Sequence, residues 1–99
     1  MKLEWTDQAI RGWQQVAQYI LEDFGQRRLA TFQRETEEEE KFISQFPNMG
    51  TIAWEDKELS IVYRFRVING FSKMLYFVSD DTIFIADFWD VRQNGDHNL

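Results

Sequence analysis

The chain has 99 residues, a formal net charge of -6, no cysteine, and 43% hydrophobic with 16% aromatic residues. That supplies one packed core and excludes global disorder, while the lack of cysteine excludes a disulfide framework and any thiolate nucleophile or metal site. The acidic balance argues against indiscriminate nucleic-acid binding, and no stretch approaches the roughly 18 consecutive apolar residues of a membrane-spanning helix.

Met1-Lys2-Leu3-Glu4 lacks the basic and then apolar layout of a signal peptide, so a soluble cytoplasmic protein is expected. Lys2 to Trp5 alternates as a short edge strand would. Thr6 is a candidate N-cap, with Asp7 in the first turn, where a carboxylate complements the helix dipole. Ile10, Trp13, Ala17, Ile20, Leu21 and Phe24, with Val16 alongside, recur at spacings of three and four and predict an amphipathic helix, which Gly25 ends as a left-handed cap. A second helix is expected from about Gln26 to Gln45, with Leu29, Phe32, Ile43 and Phe46 on one face. Thr36 and Glu39 interrupt that stripe, and Pro47 stops the helix. The joint at Gly25 is short, so the two form an antiparallel hairpin. Glu35 and Glu37 to Glu40 are expected to be a solvated helix face, a docking surface for a basic partner being the alternative.

Phe46-Pro47-Asn48-Met49-Gly50 is a turn in which proline and glycine supply special backbone angles. Thr51 to Trp54 is a further candidate strand, followed by the charged connection Glu55 to Glu58. Leu59 to Arg92 then holds three β-rich runs, broken at Ile68-Asn69-Gly70 and at Ser79-Asp80-Asp81, and predicts an antiparallel meander. In the first run Leu59, Ile61, Tyr63, Phe65 and Val67 fall on one face and Arg64 and Arg66 on the other. The upstream helices are expected to cover the apolar set and leave an arginine-bearing face. Asp87 follows Ile83 and Ile85 in phase, so it is either buried and partnered or a bulge resets the alternation. The expected fold is therefore α+β in a single domain: a helical hairpin, with a short edge strand before it, on a three- to four-stranded antiparallel meander.

For chemistry, cleavage of RNA by its 2′-hydroxyl needs a base, a cation for the developing phosphorane charge, and an acid for the leaving oxygen. Arg64 and Arg66, roughly 7 Å apart at i, i+2, are candidate phosphate or target contacts, and Arg92 is a third. Asp90, Asp87, Glu55 and Glu58 are candidate bases, and Tyr63 and Tyr76 candidate acids. The lone histidine, His97, lies in the polar tail. The competing reading pairs Arg64 and Arg66 with Glu55 or Glu58, and Arg92 with Asp90 or Asp87. Trp13, Trp54 and Trp89 are expected to be core residues rather than stacking platforms. No spacing suggests a metal site, and no glycine-rich loop suggests a cofactor.

Several positions in the same order carry a resemblance. They are Ala9, Trp13, Val16 and Tyr19-Ile20, then Phe46-Pro47-x-x-Gly50, Arg64, Met74-Leu75-Tyr76-Phe77-Val78, Asp80-Asp81-x-Ile83-x-Ile85 and Arg92. With them the chain resembles the RelE/ParE superfamily of toxins from type II toxin–antitoxin modules, often labelled plasmid stabilisation proteins. The resemblance implies one of two activities. RelE-like members cleave messenger RNA at the ribosome, whereas ParE-like members poison DNA gyrase and are not nucleases. Either kind is held in a hetero-oligomer by a cognate antitoxin whose C-terminal segment wraps around it. Asp90 stands where the family commonly has histidine, and Gln93 where a second arginine is frequent. Those departures and the net acidity favour a ParE-like toxin over an endoribonuclease, with a non-toxic antitoxin-binding module as a further alternative. An acidic antitoxin is expected to avoid Glu35 to Glu40 and to use the Arg64/Arg66 face or an apolar groove beside the helices.

Overall fold

The computed structural model describes residues 1–92; Gln93 and His97, both named above, lie outside the described residues. The elements in chain order are β1 (Lys2–Trp5), α1 (Asp7–Phe24), α2 (Gln26–Gln45), β2 (Thr51–Asp56), β3 (Ile61–Ile68), β4 (Ser72–Ser79) and β5 (Thr82–Asp90). The strands form one sheet in the order β1-β5-β4-β3-β2. β2 to β5 are the expected antiparallel meander. β1 joins as an edge strand parallel to β5, with Leu3 opposite Ile83 and Trp5 opposite Ile85, so the sheet is five-stranded and mixed. A parallel partner needs a long crossover, and here nearly the whole chain lies between the two strands.

Local signals place the elements. Thr6 Oγ1 accepts a hydrogen bond from the Ala9 amide at 3.2 Å and donates to Ala86 O at 3.1 Å, capping α1 and tying it to β5 together. Gly25, at φ 89°, ends α1 and starts α2; its ψ of 178° lies outside the left-handed helical region expected for it. At the first hairpin Asn69 and Gly70 have φ of 52° and 80°, the positive values that a primed two-residue turn requires. Both outcomes foreseen for Asp87 occur. Leu75 pairs with Asp87 and Tyr76 with Ile85, so Ala86 bulges out and resets the alternation. Asp87 itself is buried, and one of its carboxylate oxygens accepts the Phe88 amide at 2.8 Å.

The helices pack on one sheet face. Ala9, Val16, Ile20, Phe32 and Ile43 meet Ile68, Met74, Tyr76, Ile83, Ile85 and Phe88 in a single core. Of the predicted α1 stripe, Ile10 and Phe24 emerge exposed at its margins. Register overturns one expectation here. Arg64 lies opposite Tyr76, Arg66 opposite Met74 and Ile68 opposite Ser72, so the arginines share the helix-covered face. The aromatic set of β3 lies on the other face. Alternation sorts residues into two sets, but cannot say which set is inside when the polar heads find partners there.

Gly12 brings α1 against β5: a Cβ at this position would lie 1.9 Å from the Phe88 carbonyl oxygen. Alanine is the better helix former by about 1 kcal/mol, but backbone overlap of this size forces the helix to shift, typically at about 1–3 kcal/mol. Gly12→Ala is therefore expected to lower the melting temperature despite its propensity gain, as thermal denaturation would show; an unchanged or raised melting point would contradict the close packing.

Candidate functional site

The arginines are fixed by their surroundings. Arg64 Nη1 donates to Asn48 O at 3.0 Å and Gly50 O at 2.9 Å. Beside it the Tyr76 hydroxyl donates to Pro47 O at 2.8 Å and accepts the Gly50 amide at 3.0 Å. These two side chains hold the 47–50 turn on the sheet. Gly50 is needed there for room and not for a special angle, because a Cβ would approach the Tyr76 hydroxyl to 2.5 Å, while the positive-φ glycines are Gly25 and Gly70. Burial pushes the Tyr76 phenol above its ordinary 10.0, an effect only partly offset by the Gly50 hydrogen bond and the neighbouring Arg64 and Arg66. Asn48, Arg64 and Tyr76 line a small cleft of about 200 Å³.

Arg66 pairs with Glu39 of α2 and lays its guanidinium over the Phe42 ring, 4.4 Å from the centroid. Its ion-pair partner is thus neither Glu55 nor Glu58, which are exposed. The two residues that interrupt the apolar stripe of α2 are both explained. Glu39 meets Arg66, and Thr36 Oγ1 accepts Trp13 Nε1–H at 2.9 Å while donating to Phe32 O at 2.9 Å.

Arg92 lies just past the end of β5. Its Nη2 donates to Asp90 Oδ2 at 3.0 Å and its backbone amide to Oδ1 at 2.7 Å, and its guanidinium stacks 3.5 Å from the Phe71 centroid. Its pKa is raised first by the hydrogen bond to Asp90. Asp90 is 2% exposed, so this carboxylate is a buried ligand of Arg92 rather than a free base. The candidate contacts do not converge. β4 separates Arg64 and Arg66 from the strand bearing Arg92, a spacing of about 10 Å across the sheet before the offset along it, and buried Met74 lies between. Tyr63 is on the opposite face. Among the described residues no group of three or more acidic or histidine side chains is placed to hold a metal ion.

The feature that sequence reasoning missed is the sheet face away from the helices. Trp54, Tyr63, Phe77 and Phe84 form a row across β2, β3, β4 and β5, with successive ring centroids 4.4, 5.2 and 5.3 Å apart. Phe65 carries Lys73 over its ring at 4.4 Å in the next row. Trp54 is 39% and Val67 48% exposed, and both helices lie on the other side. Trp13 is half-buried and packs against the core as expected; Trp89 is buried but on the outer sheet face, and Trp54 is exposed. The signal is present in the alternation of Tyr63, Phe65 and Val67, a set that reads as core until the register is known.

No protein-family model matches the chain, and no curated protein matches it. Among solved structures it is similar to one described as the chromosomal ParDE TA system from P. aeruginosa, with a TM-score of 0.71 and 17% identity, over 91% of this chain and 95% of that chain. The chain shares the fold of that structure, two helices packed on a five-stranded mixed sheet. No helix among the described residues is long and apolar enough to cross a membrane.

The side-chain partners can be tested at two points. Arg92→Ala strips a buried carboxylate of its cation and is expected to cost about 1–3 kcal/mol, most of which Asp90→Asn in the same chain should restore. Urea denaturation of the single and double variants measures this; a neutral Arg92→Ala would mean the pair has no structural role. Because the folded-state phenol of Tyr76 is raised, its contribution is complete below the ordinary phenol value of 10.0 and is lost as pH rises through the folded value. Stability should therefore fall at alkaline pH in the native chain, and less steeply in Tyr76→Phe, which itself should cost about 1–2 kcal/mol at neutral pH through its two lost hydrogen bonds.

Proposed function

We propose that this chain is the toxin of a bacterial type II toxin–antitoxin module. In this reading it acts in the cytoplasm as a ParE-like inhibitor that binds a macromolecular target such as DNA gyrase, and a cognate antitoxin neutralises it. The likeness to a ParDE structure and the motif order support the module. The binding mode over the nuclease mode rests on one observation: each candidate arginine is engaged within the chain, Arg64 by turn carbonyls, Arg66 by Glu39 and Arg92 by Asp90. A ribonuclease needs cations aimed together at one phosphate. These point at three different internal partners.

In this reading Arg64, Arg66 and Arg92 shape the toxin rather than touch scissile RNA, and Asp90 serves Arg92. The antitoxin's apolar segment covers the aromatic sheet face. An uncovered row of rings flanked by further apolar side chains is the sort of surface that soluble proteins keep for a partner. Such a complex also shields Trp54 and Val67 from water.

Induction of the chain alone in a bacterial host should arrest growth, and co-expression of the adjacent reading frame should relieve the arrest. Supercoiling by gyrase should be inhibited in purified form while ribosome-bound messenger RNA stays intact. Tyr63→Ser and Trp54→Ser, both off the helix-packed core, should weaken antitoxin binding by about 30-fold or more if they remove central aromatic anchors worth about 2 kcal/mol. Specific messenger RNA cleavage abolished by Arg64→Ala in a folded chain would reverse the preference for binding over catalysis.

A further inference from the structure

We propose that the groove between α1, α2 and β1 is a docking site for an arginine-bearing segment of a partner protein. The groove encloses about 510 Å³, with Trp5, Ile10 and Trp13 as its apolar walls and Thr36, Glu37 and Glu40 along α2. It lies on the helix side, away from the aromatic sheet face. Such a docking site stands on the chemistry of this groove alone, independent of the toxin reading.

The polar edges of both indoles are satisfied within the chain. Trp5 Nε1–H donates to Glu40 Oε2 at 2.9 Å and Trp13 Nε1–H to Thr36 Oγ1 at 2.9 Å. These bonds fix the indole edges and leave ring surface, not N–H groups, for a ligand. Trp13 is further held by stacking on Phe32, centroids 5.2 Å apart. Ile10 belongs to the apolar stripe of α1 yet is 41% exposed, and the groove is where it is exposed.

The acids supply the sign of the ligand. Within the glutamate run, Glu38 pairs with Arg34 and Glu39 with Arg66. Glu37 and Glu40 have no basic partner among the described residues, and both face the groove. A second cleft of about 530 Å³, lined by the same two glutamates with Leu3, Lys41 and Ser44, continues the groove along α2; Lys41 is at its margin and forms no ion pair with either glutamate. Ring faces beside two carboxylates that are in no ion pair suit a guanidinium, which stacks on indole and donates bidentate hydrogen bonds to carboxylates. The net charge of -6, with Arg64, Arg66 and Arg92 all engaged internally, makes an acidic segment a poor occupant by repulsion.

The test uses an acetylated, amidated pentapeptide with two arginines set between leucines, and its counterpart with citrulline, the neutral isostere, in place of each arginine. Indole N–H resonances of the 15N-labelled chain report the four tryptophans separately. The arginine peptide is expected to shift Trp5 and Trp13 and to leave Trp54 unmoved, with the citrulline peptide about tenfold weaker or more. Affinity should fall as salt is raised. Glu37→Gln/Glu40→Gln should lose about tenfold in affinity with the fold kept, because the amide oxygen introduced by Glu40→Gln still accepts from Trp5 Nε1–H. Glu37→Gln alone leaves that hydrogen bond untouched and should show an intermediate loss. Equal binding of the two peptides would overturn the proposal in favour of an apolar groove without charge selection. Shifts confined to Trp54, no shift at millimolar peptide, or undiminished binding by both variants would overturn it as well. Concentration-dependent shifts of Trp5 and Trp13 without peptide would assign the groove to a second copy of the chain instead.

Discussion

The seating of α1 on β5 sets the geometry on which the remaining structure depends. The Thr6 hydroxyl bonds Ala86 O, the Thr6 amide bonds Ile85 O at 3.0 Å, and Gly12 lets the helix backbone come down on Phe88. These contacts lie where β5 carries its bulge. Without the extra residue at Ala86, Phe88 and Asp90 would point to the face away from the helices, and Asp87 and Trp89 into the core. The bulge and the glycine are therefore one arrangement. One turns the aromatic ring inward, and the other lets the helix close over it.

Polar side chains in the covered face then decide what the arginines do. α2 brings Thr36 and Glu39 over the sheet inside an otherwise apolar stripe, and each meets a partner from a different element. Arg66 lays its guanidinium on Phe42 and its charge on Glu39, and Arg64 spans the sheet rim to the carbonyls of the 47–50 turn. Arg92 does the same work for buried Asp90 at the opposite end. A basic side chain with a long apolar stem can lie within a helix–sheet interface when its head reaches an acceptor at the margin. This is why Arg64, Arg66 and Arg92 each reach an internal partner, at the turn, the helix and the strand end.

With Arg64, Arg66 and Arg92 engaged, the two surfaces proposed above for partners contrast in character. The sheet face away from the helices is aromatic, with Lys73 as its cation over Phe65. The helix-side groove joins two indoles to Glu37 and Glu40. Surfaces so different in chemistry do not compete for the same segment. One partner chain with an apolar stretch and a basic stretch would engage both, and such wrapping gains from effective concentration once either stretch is seated.

Much of the fold was legible in the chain. Spacings of three and four, Thr6, Gly25 and Pro47 placed both helices, Asn69-Gly70 and Asp80-Asp81 placed the hairpins, and the phase of Asp87 exposed the bulge, because each is a local effect of backbone geometry. The family resemblance held at the level of fold at 17% identity. Long-range placement was not legible. The parallel pairing of Leu3 and Trp5 with Ile83 and Ile85 joins residues from opposite ends of the chain. Glu39 and Arg66 meet across 27 positions, and Trp5 and Glu40 across 35. The sequence by itself determined where helices, strands and turns occur and which residues share a face. Only the tertiary structure decided which face the helices cover, since that choice rests on partners for Arg64, Arg66, Thr36 and Glu39 that no local pattern names.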